Sequence, residues 1–233
     1  MNQYYDQNYQ AVEQMGADSR ATFIVRTYTH LRGAIMAFTG LEVALFTSGL
    51  ADAWAPVIAS NWLIVMGAFV VAGWLGSRAA ASAQSMAAQY AALAVYVVME
   101  AVIFLPILWI ANTNFPGVIS SAAAITLTGF GLLTLIAFWT RKDFSFMGGF
   151  LRFVGIGAMI AIFASMFFSF QLGTWFTVAM ILFAGGAVLY DTSNVIHHYP
   201  ENRYVAASLS LFASIAMMFY YVLMLLMRLS GRD

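Results

Sequence analysis

The run 87–111, AAQYAALAVYVVMEAVIFLPILWIA, decides the class of this protein. Its 25 residues contain one charged side chain, Glu100. A helix needs about 20 predominantly apolar residues to cross the hydrocarbon core of a bilayer. The run is therefore long enough and apolar enough to form one membrane-spanning helix.

Further apolar runs lie on both sides of this one, separated by short polar or Gly- and Pro-containing connections. They cover residues 33–51, 57–76, 117–139, 149–170, 173–191 and 205–227. Of the 233 residues, 62% are hydrophobic and 9% are charged, whereas soluble domains have roughly 45–50% and 25%. The sequence predicts an all-α membrane protein with seven transmembrane helices, consisting of a polar tail over 1–30 and a membrane domain over 31–233.

The basic residues predict the orientation of these helices. Eight of the ten precede the first run or lie in or beside connections on the same side of the predicted membrane: Arg20, Arg26, Arg32, Arg78, Arg141, Lys142, Arg152 and Arg203. Because cytoplasmic connections are enriched in Lys and Arg, we expect a cytoplasmic N-terminus. Only Arg228 and Arg232, after the last run, fall on the opposite side if that run crosses fully, as its length and apolar character favour.

Composition also excludes several function classes. The net charge is zero and the chain has no cysteine, so we expect no nucleic-acid surface, thiolate metal site or cysteine nucleophile. Neither a His-Glu-x-x-His nor a Gly-x-Ser-x-Gly pattern is present, and the first 30 residues have no signal-peptide pattern. The sequence predicts a protein that is not an enzyme and has no resident cofactor or metal, with Ca²⁺ or protons as the candidate bound or permeating ions.

Three acidic residues lie within the apolar runs, where an ionised side chain costs at least about 2.5–3.5 kcal/mol. Glu42 and Glu100 fall near the middle of the first and third runs. Each is either a neutral carboxyl that forms a hydrogen bond with a neighbouring helix, as burial favours, or a proton or cation site. Both interpretations stay open from the residues alone.

Asp191 is the third acid, at the end of the sixth run. If the helix continues, Asp191, either Asn194 or Val195, and His198 share a face at helical spacing. A carboxylate, an amide and an imidazole could hold a cation or sense pH near neutrality. The alternative is a helix end that is polar because it lies at the cytoplasmic interface.

The stretches around Asp191 resemble those of a known family. Gly186-Ala-Val-Leu-Tyr-Asp-Thr-Ser-Asn-Val-Ile-His197 and Ala206-Ala-Ser-Leu-Ser-Leu-Phe212 resemble the signature of the Bax inhibitor family. Thr140-Arg-Lys-Asp-Phe-Ser-Phe-Met-Gly-Gly-Phe-Leu151 resembles its fourth-to-fifth connection. The Asp-Thr-Ser-Asn-x-Ile-His run and the final Ser-Gly-Arg-Asp233 resemble the YccA branch of proteobacteria. The resemblance implies a bacterial inner-membrane protein whose last helix is enclosed by the other six.

The resemblance implies one possible function, because some bacterial members of that family are proton-sensitive calcium leak proteins. There, two aspartates on the last two helices share a proton, and an arginine at the end of the second helix latches them. Asp191 matches the first aspartate, Ser214 stands in the place of the second, and Arg78 lies close to the latch position. A carboxylate that faces a hydroxyl lacks the coupling of a carboxylate pair, although Glu42 and Glu100 could supply other carboxylates. A pH-sensitive calcium or proton leak is therefore the alternative function.

The YccA branch implies a different function, as substrate and modulator of the membrane-anchored protease FtsH. In that branch, proteolysis begins at the cytoplasmic N-terminal tail. Residues 1–19, rich in Gln, Tyr, Asn and acids, have the polarity of an extended tail. We therefore expect a non-enzymatic regulator that engages FtsH in the bilayer.

Overall fold

The computed structural model describes residues 11–68, 70, 85–168 and 170–231, and these are almost entirely helical. The long helices are α1 (Ala17–Thr47), α2 (Leu50–Ser60), α3 (Met86–Asn114), α4 (Val118–Thr140), α5 (Met147–Phe168), α6 (Thr174–His197) and α7 (Tyr204–Ser230). Short 3₁₀ turns at Val12–Gln14 and Glu201–Arg203 precede α1 and α7. Residues 62–68 are also helical.

Five of these helices, α3 to α7, are long and apolar enough to cross a membrane. The pair α1 and α2 passes the same test together but bends by 104°, which gives up to six spans among the described residues. Gly49 makes the bend, because its φ of 76° lies in the left-handed region that favours glycine. The chain is thus an all-α, multi-pass membrane protein. The predicted second run, 57–76, is interrupted at Asn61, and its residues 71–76 lie outside the described part.

The first helix begins earlier than the apolar run predicts. It starts at Ala17, so that 17–30, predicted as part of a polar tail, already belong to the helix. Phe23, Thr27 and Leu31 recur at a spacing of four residues and are all buried. Hydropathy misses this helical segment because its outward positions are polar, while a single stripe of side chains packs against the bundle.

The last helix is the central one. Within the described ranges, α7 packs against α6, α1, α4 and α3. Leu211, Phe212 and Leu223 are among its many fully buried side chains. By contrast, α5 packs mainly on α6 at the edge of the bundle. The apolar side chains of α7 therefore contact protein, whereas much of the surface of α5 faces outwards.

Helices α5 and α6 approach each other at a glycine. A Cβ atom built on Gly148 of α5 would lie 2.9 Å from Cε2 of Tyr190 on α6. The neighbouring Gly149 has no atom within 4 Å of the same position. Small residues are common where membrane helices approach closely, because lipid supplies no hydrophobic force between helices.

We expect Gly148→Ala to destabilise the protein, because the new methyl group must displace the Tyr190 ring. Overpacking of this kind costs about 1–3 kcal/mol, more than the gain of up to about 1 kcal/mol from better helix propensity. Gly149→Ala is the matched control and should be neutral or slightly stabilising. Unfolding in detergent measures both variants, and equal stability for the two would contradict this packing.

Candidate functional site

Asp191 and Ser214 meet between the last two helices. The hydroxyl of Ser214 on α7 donates a hydrogen bond to Oδ2 of Asp191 on α6, at 2.5 Å. Ser214 is buried and Asp191 is partly buried. The structure thus brings together two of the residues that the sequence singles out, one carboxyl and one hydroxyl.

A second carboxyl approaches the same region from α3. Glu100 is buried, and its carboxyl interacts with the hydroxyl of Tyr96, one turn earlier on the helix. Tyr96 also lies close enough to Asp191 for the two side chains to interact electrostatically. Sequence reasoning missed Tyr96, although its spacing of four residues from Glu100 places both on one helix face. Tyr96 of α3 thus interacts electrostatically with two carboxyls, Glu100 on its own helix and Asp191 on α6.

Glu42 occupies a different place. It lines a cavity of about 440 Å³ that is bounded by side chains of α1, α3, α4 and α7. Its side chain is buried, and within the described structure neither carboxyl oxygen has a hydrogen-bond partner. The sequence leaves two interpretations of Glu42 open. The described structure does not show the first, in which the carboxyl forms a hydrogen bond with a neighbouring helix.

His198 contacts Asp143, which lies outside the predicted group of Asp191, Asn194 or Val195, and His198. Helix α6 ends at His197, and His198 Nε2 lies 3.0 Å from Oδ2 of Asp143 in the connection between α4 and α5. No three His, Asp or Glu side chains in the described part of the chain are placed to hold a metal ion.

Asp143 also organises the connection between α4 and α5, a role that sequence reasoning missed. The N–H of Ser145 donates to Asp143 Oδ1 at 2.8 Å. Ser193 of α6 accepts a hydrogen bond from the N–H of Phe144 at 2.8 Å and donates to Asp143 Oδ1 at 3.4 Å. The polar residues of the two stretches that resemble a known family are therefore in contact with each other.

The connection between α6 and α7 is held by the segment that precedes α1. The N–H of Val12 donates to the carbonyl of Tyr199 at 3.0 Å, and Ala11 pairs with Pro200 in a single antiparallel bridge. Glu13 Oε2 lies 3.6 Å from Nδ1 of His197. Val12 is fully buried. Part of the predicted tail is thus docked against the body of the protein.

Two side chains hold the same connection from the membrane domain. Gln89, which is buried in α3, donates to the carbonyl of Asn202 at 3.0 Å and accepts from the N–H of Ala206 at 3.3 Å. The hydroxyls of Tyr199 and Ser210 lie 2.9 Å apart. These contacts fix the end of α6 relative to the start of α7, and Asp191 and Ser214 lie on those two helices. Arg78, the predicted latch, lies outside the described residues.

Comparison with known proteins gives consistent matches. Residues 20–231 match the family described as inhibitor of apoptosis-promoting Bax1. An uncharacterized protein of Pseudomonas aeruginosa is 36% identical over 124 residues, which cover 52% of this chain and 54% of that protein. The modulator of FtsH protease YccA of Escherichia coli K12 is 32% identical over 122 residues, 50% of this chain and 55% of its own. Bax inhibitor 1 of Schizosaccharomyces pombe is 32% identical over 123 residues, 50% of this chain and 44% of its own.

The matched segment spans about half the length of these curated relatives. No solved structure is a significant match to the chain.

We expect Asp143→Asn to lower the stability at neutral pH, with a loss that disappears in acid. Burial opposes ionisation of Asp143, but the N–H of Ser145 and the ring of His198 outweigh it and lower the pKa of Asp143 from 3.8 to about 2. A lowered pKa means that the carboxylate stabilises the fold above pH 4 or so, and that this stabilisation is lost as the pH falls toward 2. Unfolding midpoints in detergent between pH 2 and pH 7 measure the effect.

Glu201→Gln, at an exposed carboxyl, controls for the loss of one negative charge. A difference between wild type and Asp143→Asn that stays constant from pH 7 down to pH 2 would contradict this role of Asp143.

Proposed function

The chain belongs to the Bax inhibitor family, and from this premise we propose that it is a non-enzymatic regulator in a bacterial inner membrane that engages the protease FtsH. In this proposal it slows the turnover of other membrane proteins by FtsH. The observation that carries the proposal is the 32% identity with the Escherichia coli modulator of FtsH protease. The multi-pass helical architecture supports it, because such a regulator must share the bilayer with a membrane-anchored protease.

The geometry around His198 supports a role without catalysis. Ser193, His198 and Asp143 are residue types found in hydrolytic triads, but here they are arranged differently. The Ser193 hydroxyl contacts Asp143 and the N–H of Phe144, and the imidazole of His198 also contacts Asp143. A nucleophilic serine needs its hydroxyl against the base. The arrangement instead suits a structural cluster that joins the connection between α4 and α5 to the end of α6.

The proposal includes a seven-helix arrangement with the N-terminus in the cytoplasm. The distribution of Lys and Arg supports the orientation. Contact of α7 with four other helices supports its enclosure by the rest of the bundle. A further part of the proposal, based on the family resemblance, is that Arg78 latches Asp191.

The docked segment before α1 gives the proposed tail a defined boundary. FtsH would grip residues that precede Val12. Continued pulling must then break the hydrogen bond between Val12 and Tyr199 and expose a buried valine. The contact between this segment and the α6–α7 connection would therefore resist unfolding of the protein by the protease.

We expect the protein, reconstituted with FtsH and a second membrane substrate, to slow degradation of that substrate. A variant that lacks residues 2–10 keeps the docked segment but removes the residues that the protease would grip first. It should have a longer half-life than the full chain while still binding FtsH. Half-lives of both proteins and of the second substrate are measured together.

Equal degradation of the second substrate with and without the protein would contradict the proposed function. Equal half-lives for the full chain and the truncated variant would contradict the proposed role of the tail alone.

A pH-sensitive calcium or proton leak is the second candidate function. The observation that favours it is the electrostatic interaction of Tyr96 with both Glu100 and Asp191. Calcium influx into liposomes that contain only this protein separates the two candidates. Influx that depends on pH and is abolished in Asp191→Asn would favour the leak.

A further inference from the structure

The cavity that Glu42 lines has a composition unlike that of an ordinary packing defect. Its volume of about 440 Å³ lies within the range of small-molecule sites, roughly 300–1,000 Å³. Most of its wall is apolar, although Thr39, Thr47 and Asn112 also line it. Two further polar groups in the wall are the carboxyl of Glu42 and the hydroxyl of Thr126. Both side chains are more than nine-tenths buried, and within the described structure neither side chain has a hydrogen-bond partner.

An unpaired carboxyl in apolar surroundings is unfavourable, because it loses its hydrogen bonds with water and gains none in return. The other two acids of the apolar segments, unlike Glu42, each have a partner. Asp191 accepts a hydrogen bond from Ser214, and the carboxyl of Glu100 interacts with the hydroxyl of Tyr96. Glu42 is thus the acid whose partner must come from outside the described side chains.

The aromatic wall of the cavity indicates the charge of that partner. Five phenylalanines line the cavity, namely Phe38, Phe46, Phe104, Phe212 and Phe219. Phe104 packs edge-on against Phe38 at 5.2 Å between ring centroids and stacks on Phe219 at 5.5 Å. Aromatic rings together with a carboxylate are typical of sites that bind organic ammonium groups, because both attract positive charge.

None of the described residues that line the cavity is basic. An anionic ligand would therefore meet only Glu42 as a charged group and would be repelled by it. A neutral apolar ligand would fill the space but would leave the carboxyl unpaired. A ligand with one amine and an apolar body satisfies both the carboxyl and the phenylalanines.

We propose that this cavity is a binding site for a compact organic amine, whose ammonium group pairs with Glu42 and whose apolar body packs against the phenylalanine wall. The cavity is lined by Val43 of α1 and Leu127 of α4, and both of these side chains are also exposed. An amine can therefore enter between α1 and α4. A neutral amine that takes the proton of a neutral Glu42 gives the same ion pair as an ammonium that meets a carboxylate. The site does not depend on the proposed engagement of FtsH.

The test uses three probes of the same shape, 4-phenylbutylamine, 4-phenylbutanol and 4-phenylbutanoate, with the full chain in nanodiscs. We expect saturable binding of the amine by calorimetry, at least tenfold tighter than binding of the alcohol, and no binding of the carboxylate. In Glu42→Gln, the amine should lose this advantage over the alcohol. Comparison with empty nanodiscs corrects for partition of each probe into lipid.

A second pair of variants keeps Glu42 in place. Ala123 of α4 lines the cavity, whereas the adjacent Ala124 is exposed and lies outside its wall. Ala123→Phe should fill the cavity and weaken amine binding at least tenfold, and Ala124→Phe should bind as wild type does. Equal affinity of wild type for the amine and the alcohol would overturn the proposal. So would equal amine affinity in Ala123→Phe and Ala124→Phe, even if Glu42→Gln failed to fold.

Discussion

The hydrogen bond from Ser214 to Asp191 joins the last two helices at a buried hydroxyl, where a carboxyl without a partner would be costly. It ties α6 to α7, the helix around which α1, α3 and α4 also pack. The connection between α6 and α7 is held by Gln89 and by the segment around Val12. Because this connection is fixed, the two helices keep the register that places the hydroxyl against the carboxyl.

The three acids of the apolar segments differ in whether the carboxyl has a partner. Asp191 accepts a hydrogen bond from Ser214, and the carboxyl of Glu100 interacts with the hydroxyl of Tyr96. Glu42 lies on another side of α7, in a cavity with no partner among the described side chains. The contact of Asp191 therefore joins two helices, whereas the unpaired Glu42 marks a place suited to a ligand.

Apolar length predicts the later helices well, because each is limited by polar or glycine-containing connections. The run predicted over 117–139 forms a helix over Val118–Thr140. The start of α1 and the bend at Gly49 could not be read from hydropathy, since one depends on a single buried stripe and the other on tertiary packing. The family resemblance placed Ser214 opposite Asp191, but the pair of His198 and Asp143 joins residues 55 positions apart and needed the fold.

A double-mutant cycle between Asp191 and Ser214 tests the central claim most directly. The free energy of unfolding is measured in bicelles for wild type, Asp191→Ala, Ser214→Ala and the double variant. A hydrogen bond that joins α6 to α7 predicts a coupling energy of about 1 kcal/mol, the magnitude found for such bonds between membrane helices. Strictly additive effects of the two substitutions would show that the contact does not hold the two helices together.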